Sequence, residues 1–512
     1  MKPIFFIVFL LSLTKISAQI PQDSLSIWLR ASNRVFTSAA FCDNPATDDG
    51  DDVFCWQDIS QNGFRFRRIQ DGTTKLKLNT LDTLNGMPSV LFDGTFGMVT
   101  IPPTDYFAVR SMTMFVVGSN LGTGIAISQP GTWNQSFRLN AELAMHHSQQ
   151  GAWTARDHQL DWTGQSHLIS TGTFGFDEDD LELHINGLKS SNGLIEDIIA
   201  TDYLAVDRAA YLGQRGNNTS VRTGDIAEVI VYRERQLGDV QRIAVENYLS
   251  SKYDIPLIPE SDFYSYDTEA NGDYDCNVAG IGWDGTDSLE FNNSSSLNIQ
   301  PSPGLDFTEE YYLFAGHRIE PNSISTDNLP VGYSERFGRV WAVEKTGAVD
   351  ISILSFSFTA LTDIEGTPDP NGTYALLYAQ TVSPLSFAPL NTIATEVTDT
   401  GINFSLTNEQ LQNGYYTLGA VDKIFNDPSS NTEPTSVKPA NIYPNPATTT
   451  IAIPDIKARA NYTITSINGQ RSVSGQFTPG QRIDINLLPT GAYLIHLVTE
   501  DGEAISARFI KQ

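Results

Sequence analysis

Only one segment of this 512-residue chain carries a helical pattern. In "GDVQRIAVENYLSSKY", Val240, Ile243, Ala244 and Tyr248 fall on one apolar stripe. Asp239 is placed to cap its start, and Lys252 suits the negative C-terminal end. Nearly everything else is short apolar or alternating runs bounded by turn residues. Examples are "SMTMFVVGSN" (111–120), "DLELHINGLK" (180–189) and "GDIAEVIVYRER" (224–235). Runs of that length and period read as strands. Asn186-Gly187 and Asn468-Gly469 add two hairpin turns, because a type I′ turn needs positive φ at both central residues. The expected class is therefore all-β, built as layers of sheet. A chain this long exceeds one ordinary domain, so two to four are expected. No repeat of about 20–50 residues is present to suggest a solenoid or propeller.

Composition supports cores and excludes one partner class. Hydrophobic residues make up 40% and aromatics 10% of the chain, while charged residues reach only 18%. Acidic residues number 60 against 32 basic, for a net charge of −28. Such a chain repels phosphate backbones, so no nucleic-acid partner is expected, and no basic cluster stands out along the sequence to argue otherwise. The acidity is spread along the chain and reads as a solvated surface.

The start, "MKPIFFIVFLLSLTKISAQ", reads as a secretory leader. Lys2 precedes an apolar run from Ile4 to Leu13, and Ile16-Ser17-Ala18 fits a cleavage site before Gln19. The run is too short to span a membrane, and no other run reaches that length, so no transmembrane segment is expected in the mature chain. Loss of Lys2 and Lys15 would leave a charge of −30. Export permits disulfides. Cys42 and Cys55 flank one acidic loop and are expected to pair, contributing about 3 kcal/mol in the chain-entropy model. Cys276 is left over as a buried, inert thiol.

The chain divides into a leader (1–18), a first domain (19–257), a second (258–424), a linker (425–438) and a tail domain (439–512). The linker is the clearest break: "NDPSSNTEPTSVKP" is rich in Pro, Ser and Thr and has no apolar period. The boundary near 257 rests on the prolines of "DIPLIPESD" following the helix.

Three ordered sets of motifs resemble known families. "LSIWLRAS" (25–32), "VFCWQDISQNG" (53–63), "LNGMPSVLFDG" (84–94), "LELHINGLK" and "GDIAEVIVYRERQLGDVQRIAVENYLSSKY" (224–253) resemble the laminin-G-like, concanavalin A-like jelly rolls of secreted bacterial proteins. That resemblance implies a two-sheet antiparallel sandwich, often a ligand-binding or adhesive module for sugars or matrix components. Some relatives on the wider fold cleave glycans. "NVAGIGWDGTDSLEFNNSSSLNIQ" (277–300), "EYYLFAGH" (310–317) and "ERFGRVWAVEKTG" (335–347) resemble an uncharacterised β domain that follows such jelly rolls. It implies a second β-sandwich and no known activity.

The tail, from "IYPNPATTTIAI" through "YTITSINGQRSVSG" (462–475) and "IDINLLPTGAYLIHLVTEDG" (483–502) to "ARFIKQ", resembles the type A sorting domain of the type IX secretion system. The resemblance implies a small immunoglobulin-like β-sandwich read by the secretion machinery. Passage across the outer membrane would follow, then removal of the tail, then anchoring to surface lipopolysaccharide or release. Tyr443, Pro444, Asn445 and Pro446 match the opening motif, and Gly469, Gly491 and Lys511 match turn and end positions.

Several stretches were candidates for chemistry. Glu178, Asp180 and Glu182 in "DEDDLE" would share one face of a strand, as a retaining glycosidase pair requires. Asp179 sits where that pattern wants an apolar residue, so a solvated turn is the plainer reading. "GIGWDG" (280–285) matches a dinucleotide fingerprint but lacks the following helix, so its glycines read as turn residues. His146, His147, His158 and His167, with Asp157 and Asp161, show no zinc spacing. Asp48, Asp49, Asp51 and Asp52 surround Gly50 and would suit calcium, although their register is not that of an EF-hand; a solvated loop is again plainer. Trp133, Asn134, Trp153 and Trp162 combine flat rings with polar groups, as sugar sites do. No G-x-S-x-G elbow supports a serine hydrolase.

The reading that results is an exported, all-β, non-enzymatic surface protein that binds or adheres to glycan or glycoprotein, with calcium as the only cofactor suggested. A glycan-cleaving enzyme on the same fold is the first alternative, and a structural coat component the second.

Overall fold

The expected strands form, and among the described residues every strand pair is antiparallel except Lys438–Pro439 with Ala504–Lys511. The structure is a computed structural model. It describes residues 19–38, 42–69, 76–101, 111–119, 124–129, 135–140, 144–149, 152–157, 165–174, 182–190, 209–215, 220–233, 235–301, 309–320, 322–349, 351–358, 366–390, 392, 394–426, 438–440, 442–454, 456, 459–466, 471–486, 488–499 and 504–512. The chain up to Phe425 is one compact unit, and Asn426–Gln512 is a second.

The first unit is stacked in layers. An eight-stranded sheet, here the inner sheet, is centred on Met112–Ser119 and Thr223–Arg233. A nine-stranded sheet, the outer sheet, runs from Val35–Phe36 through Cys55–Gln57, Arg65–Arg68, Met98–Ile101, Tyr211–Leu212, Ile125–Gln129, Gln135–Asn140 and Ala144–Gln149 to Ala152–Asp157. Ile27, Trp56, Phe66, Phe92, Met114, Ile127, Leu212 and Val229 fill the space between the two sheets and are all essentially buried. This is the expected two-sheet antiparallel sandwich.

A second sandwich pairs a nine-stranded sheet, containing Cys276–Trp283, Tyr311–His317 and Trp341–Thr346, with a five-stranded sheet around Ile351–Ser357. Its core includes Leu313, Trp341, Phe356, Phe404 and Tyr416.

The helix, Asp239–Tyr253, lies between the two sandwiches. Val245, Tyr248, Leu249 and Tyr253 pack on the far face of the inner sheet, against Trp28, Phe115 and Ile230. Val240 and Ile243 pack on the second sandwich, against Tyr312 and Phe314. The single stripe expected from the sequence is therefore two faces, one for each sandwich. Thirteen of its fifteen residues are buried. Two end assignments also change. Gly238 holds the N-cap position without a side-chain bond, and Asp287 of the second sandwich accepts the Gln241 amide at 3.3 Å. Asp239 instead accepts a bond from Arg242 at 2.8 Å.

The tail unit is a five-stranded sheet with a separate pair, Thr450–Ala452 and Arg482–Asp484. Ile451, Ile464, Ile483, Ile495, Leu497 and Phe509 form its core. Among the described residues, no helix is long and apolar enough to cross a membrane.

Candidate ligand-binding site

The layering decides which surfaces of the first sandwich face solvent. The helix covers the far side of the inner sheet, so among the described residues the face of the first sandwich that packs on neither the helix nor the other sheet is the far face of the outer sheet, although Cys55 and Ser128 on it are buried. A continuous cross-strand row runs over it. Cys55 lies opposite Arg67, Arg67 opposite Val99, Val99 opposite Tyr211, and Tyr211 opposite Ser128. The row continues through Arg138 and His146 to Ala155. Directly opposed residues share a face of the sheet. Arg67, Val99 and Tyr211 are half-buried, whereas the alternate row of Met98, Leu212 and Ile127 is core. Arg65 is exposed and pairs with Ile101, itself 40% exposed, on the same face. Arg68 belongs to the alternate row, opposite Met98, with its guanidinium carbon 3.8 Å from the centroid of the Phe54 ring. In the middle of the row, Ser128 is buried and its hydroxyl donates to the Gln214 carbonyl at 2.8 Å.

The aromatic residues singled out from sequence only partly reach this surface. Trp153 lies on the edge strand of the outer sheet, opposite Ser148. Trp133, Asn134 and Trp162 lie outside the described residues.

A polar pocket opens beside the first strand, Leu25–Arg30, lined by Ser24, Ser26, Ser60, Gln61, Asn62 and Arg233. Beneath it, Asp58 explains the "WQDISQNG" motif. Its buried carboxylate accepts the Trp28 amide at 2.7 Å, the Ser60 amide at 2.8 Å and the Ser60 hydroxyl at 2.5 Å. Burial pushes the Asp58 carboxyl up, and these hydrogen bonds oppose it. The motif therefore ties a turn to a strand, and its role is architectural.

The acidic loop is braced by its own carboxylates. Asp51 accepts the amides of Thr47 and Asp48 at 2.9 and 3.0 Å, and those bonds lower its pKa. Asp49 accepts the Thr80 amide at 2.8 Å, and Asp52 pairs with Lys77 at 2.7 Å. Asp48 is exposed. Among the described residues no group of three or more His, Cys, Asp or Glu is arranged to hold a metal, so these four aspartates do not converge as a calcium cage. Cys42 and Cys55 form the expected disulfide, with Cα atoms 5.5 Å apart. Cys276 is the free thiol. It is half-buried rather than fully buried, and burial together with the adjacent Asp275 pushes it up to about 12.

The remaining candidates disperse. Glu182 binds Lys189, with the His184 ring 3.9 Å away, while Glu178 and Asp180 lie outside the described residues. His146 and His147 are on one outer-sheet strand, whereas His167 reaches Asp225 on the inner sheet at 3.0 Å; His158 and Asp161 lie outside the described residues. Ser89 also donates to Asp225, at 2.7 Å. Burial would raise the Asp225 carboxyl, but His167 and the serine hydroxyls hold it down to about 2. Gly280 and Gly282 of "GIGWDG" lie inside a strand rather than a turn. A Cβ on Gly280 would meet the Phe314 ring at 2.2 Å, so this glycine serves packing.

One polar cluster had no sequence signal beyond a lone glutamate in an apolar strand. Glu228 is fully buried between the inner sheet and the helix. It accepts bonds from the Trp28 indole at 2.6 Å, the Tyr248 hydroxyl at 3.0 Å and the Tyr253 hydroxyl at 2.7 Å, and it pairs with Lys252. Burial alone would raise its pKa; Lys252 and Arg30 outweigh it and hold the group ionised. Lys252 thus answers Glu228 and does not merely suit the helix end. Burial brings its ammonium down to about 8.

In the tail, the residues of the opening motif meet the last strand. Asn445 donates to the Arg508 carbonyl at 3.1 Å and accepts the Ile510 amide at 2.9 Å. Its side chain therefore acts as one more rung of the ladder. Ala447 exchanges backbone bonds with Ile510 and Gln512. Gly491 lies opposite Lys511. Tyr443 bonds Ala452 through its backbone and leaves its side chain 70% exposed. The Tyr443–Pro444 and Asn445–Pro446 peptides are cis. Gly469 lies outside the described residues.

Two family models match the chain. Residues 441–512 match a secretion system C-terminal sorting domain. Residues 241–415 match a domain of unknown function (DUF8202), a span that takes in most of the helix as well as the second sandwich. No curated protein sequence matches the chain. Solved structures are only loosely similar. The binding domain of botulinum neurotoxin serotype D/C VPI 5993 is 12% identical, covering 81% of this chain and 97% of that one, with a TM-score of 0.31. Domain 4 of AbnA, a GH43 extracellular arabinanase from Geobacillus stearothermophilus in complex with arabinotriose, is 10% identical, covering 42% and 94%, with a TM-score of 0.27. Trypanosoma rangeli sialidase in complex with the inhibitor DANA is 11% identical, covering 44% and 33%, with a TM-score of 0.28. Likenesses this loose carry no inference about this chain. The tail match is specific, and the chain carries a type IX sorting domain that directs it out of the cell.

Proposed function

We propose that the protein is an exported surface protein that binds glycan or glycoprotein without cleaving it, using the outer sheet of its first sandwich. The observation that supports this reading is the far face of that sheet, where Arg65 and Ile101 are exposed and Arg67 and Tyr211 half-buried on the strands. Sites on strands hold side chains in place better than sites on loops. Flat rings and forked donors are what sugar rings and their polar substituents require. The other face of the sandwich is already occupied by the helix. On this reading the leader is removed before Gln19 and the tail is removed after export. The body, with its laminin-G-like first domain, then stays on surface lipopolysaccharide or is released.

The test is a glycan-array screen of the full secreted chain, repeated with chelator, followed by product analysis on every hit. Saturable binding that leaves the glycan intact is the expected result. Released product would replace this reading with a glycan-cleaving enzyme. Silence across the array would replace it with a structural coat role. Binding lost in chelator would place calcium in the site.

A further inference from the structure

One end of the inner sheet holds three polar side chains in a line of hydrogen bonds. Ser166 stands directly before the strand His167–Phe174, and Asp225 lies on Thr223–Arg233, 58 positions after His167. The His167 Nε2 atom is 3.0 Å from each Asp225 carboxylate oxygen, and its Nδ1 is 3.0 Å from the Ser166 hydroxyl. One charge fixes the direction of these bonds. Burial works against ionisation of Asp225, but His167, Ser89 and Ser119 hold its carboxyl down to about 2. An ionised carboxylate only accepts, so Nε2 carries a proton. In the neutral ring Nδ1 is then an acceptor, and the Ser166 hydroxyl donates to it. Asp225 is braced by three further contacts. Ser89 donates to its carboxylate at 2.7 Å, Ser119 accepts its amide at 2.9 Å, and Arg222 donates to its carbonyl at 2.8 Å. Exposure rises along the line: Asp225 is buried, His167 partly buried and Ser166 exposed. Leu91, opposite Asp225 on the neighbouring strand, is 42% exposed, so solvent reaches this end of the sheet.

We infer that Ser166, His167 and Asp225 form a hydrolytic relay for esters of small carboxylic acids. The inference goes beyond the glycan-binding reading and does not depend on it. A serine hydroxyl is a weak nucleophile until a neighbouring base takes its proton, and that base needs a third group to set its tautomer. All three roles are filled here. Ser166 Oγ bonds to the ester carbonyl carbon as its proton passes to His167 Nδ1. The bond from that carbon to the alkoxy oxygen breaks, and the alkoxide takes the proton from Nδ1 and leaves as an alcohol. Water then attacks the acyl-serine and gives a proton to Nδ1. The carboxylic acid leaves as Ser166 Oγ recovers that proton. Asp225 touches no substrate; it is a positioning residue that steadies the charged ring in each step. The setting narrows the substrate. The nucleophile lies at the surface, where a small acyl group reaches it, and alcohols leave more readily than amines. With water rather than fixed donors around the developing oxyanion, turnover should be slow. The sequence carried no signal for this line, because Leu168 stands where a G-x-S-x-G elbow has its second glycine and Asp225 arrives only through strand register.

The experiment is labelling of the full chain with a fluorophosphonate, read by peptide mass, beside turnover of p-nitrophenyl acetate. Ser166 Oγ should displace fluoride from phosphorus, so the label should fall on the peptide holding Ser166. Ser166→Ala should lose the label and most of the turnover. His167→Gln should slow labelling by at least about a hundredfold, the loss expected for a general base. Asp225→Asn should lower kcat by at least about tenfold with KM unchanged, because an amide donating to Nε2 sends the ring proton to Nδ1. Ser325→Ala, on the second sandwich, should change neither readout. If Asp225→Asn does not fold, Ser166→Ala at its exposed position carries the test. A label on any other residue, a Ser166→Ala variant as fast as the parent, or a folded parent that takes no label would overturn the relay. A loss in Asp225→Asn through KM alone would overturn it as well. None of these outcomes touches the glycan reading, which rests on the outer sheet.

Discussion

Asp267 shows how one residue sets a pH dependence with no motif to announce it. Its carboxylate accepts the Ser251 hydroxyl at 2.7 Å. Burial, with the nearby Asp262 and Asp254 carboxylates, pushes it up to about 7. A carboxyl whose folded pKa exceeds its unfolded value of about 3.9 stabilises the fold below that value and loses the contribution as pH rises through 7. Asp267→Asn should therefore raise stability at pH 8 by on the order of 2 kcal/mol and change it little at pH 4. Urea denaturation at the two pH values measures it, and an equal effect at both would refute the assignment. His317 has the opposite sign. Burial, helped by Arg339, lowers its ring to about 4, and its Nε2 faces the Asn277 side-chain amide at 2.9 Å. A depressed histidine costs stability as pH falls from about 6.5 toward 4. His317→Gln should flatten the acid limb of the stability curve, and the same denaturation series reads it. Neither residue was legible in the sequence, because each shift arises first from burial that only the packed fold creates. Trp153 was legible as a residue type, but only the strand register shows that it belongs to the outer sheet.

At the scale of the element, the helix was legible and its setting was not. Its period, polar residues and following prolines all mark a helix. Gln241, Arg242, Glu246 and Asn247 lie off its apolar stripe. In the structure those polar residues are buried and paired. Arg242 binds Glu246 at 2.5 Å, Glu246 accepts the Thr171 hydroxyl at 2.8 Å, and Asn247 donates to the Ser261 carbonyl at 2.8 Å. Glu228 and Lys252 belong to the same buried layer. Removing one partner of such a pair strands a charge in the interior. Lys252→Ala should cost about 3–5 kcal/mol, and Glu228→Gln with Lys252→Met should recover much of that loss. Chemical denaturation of the single and double variants decides it; a double variant no better than the single one would show that the pair is not the cause. In the tail, Asn445→Ala removes two rungs from the last strand and should lower tail stability by about 1–2 kcal/mol. Thermal melting of the tail unit checks that value.

At the scale of the whole molecule, the sequence revealed the parts more readily than their stacking. The linker was legible because its composition cannot bury a core, and the structure divides the chain there. The tail was legible because its motifs follow one another in order, and Asn445, Gly491 and Lys511 meet along its last strand. The five layers of the larger unit were not legible, because alternation tells which residues point inward but not which sheet they meet. Deleting residues 426–512 should leave the unfolding midpoint of the larger unit unchanged, and calorimetry of the full chain should resolve a separate tail transition. The central claim, that glycan is held on the outer sheet, is tested most directly by hydrogen exchange of the full chain with a saturating glycan taken from the array. Slowed exchange confined to Arg65–Arg68, Met98–Ile101, Tyr211–Leu212 and the neighbouring outer-sheet strands is the predicted result. Protection at the polar pocket beside Ser24 or on the second sandwich, with the outer sheet unchanged, would contradict it.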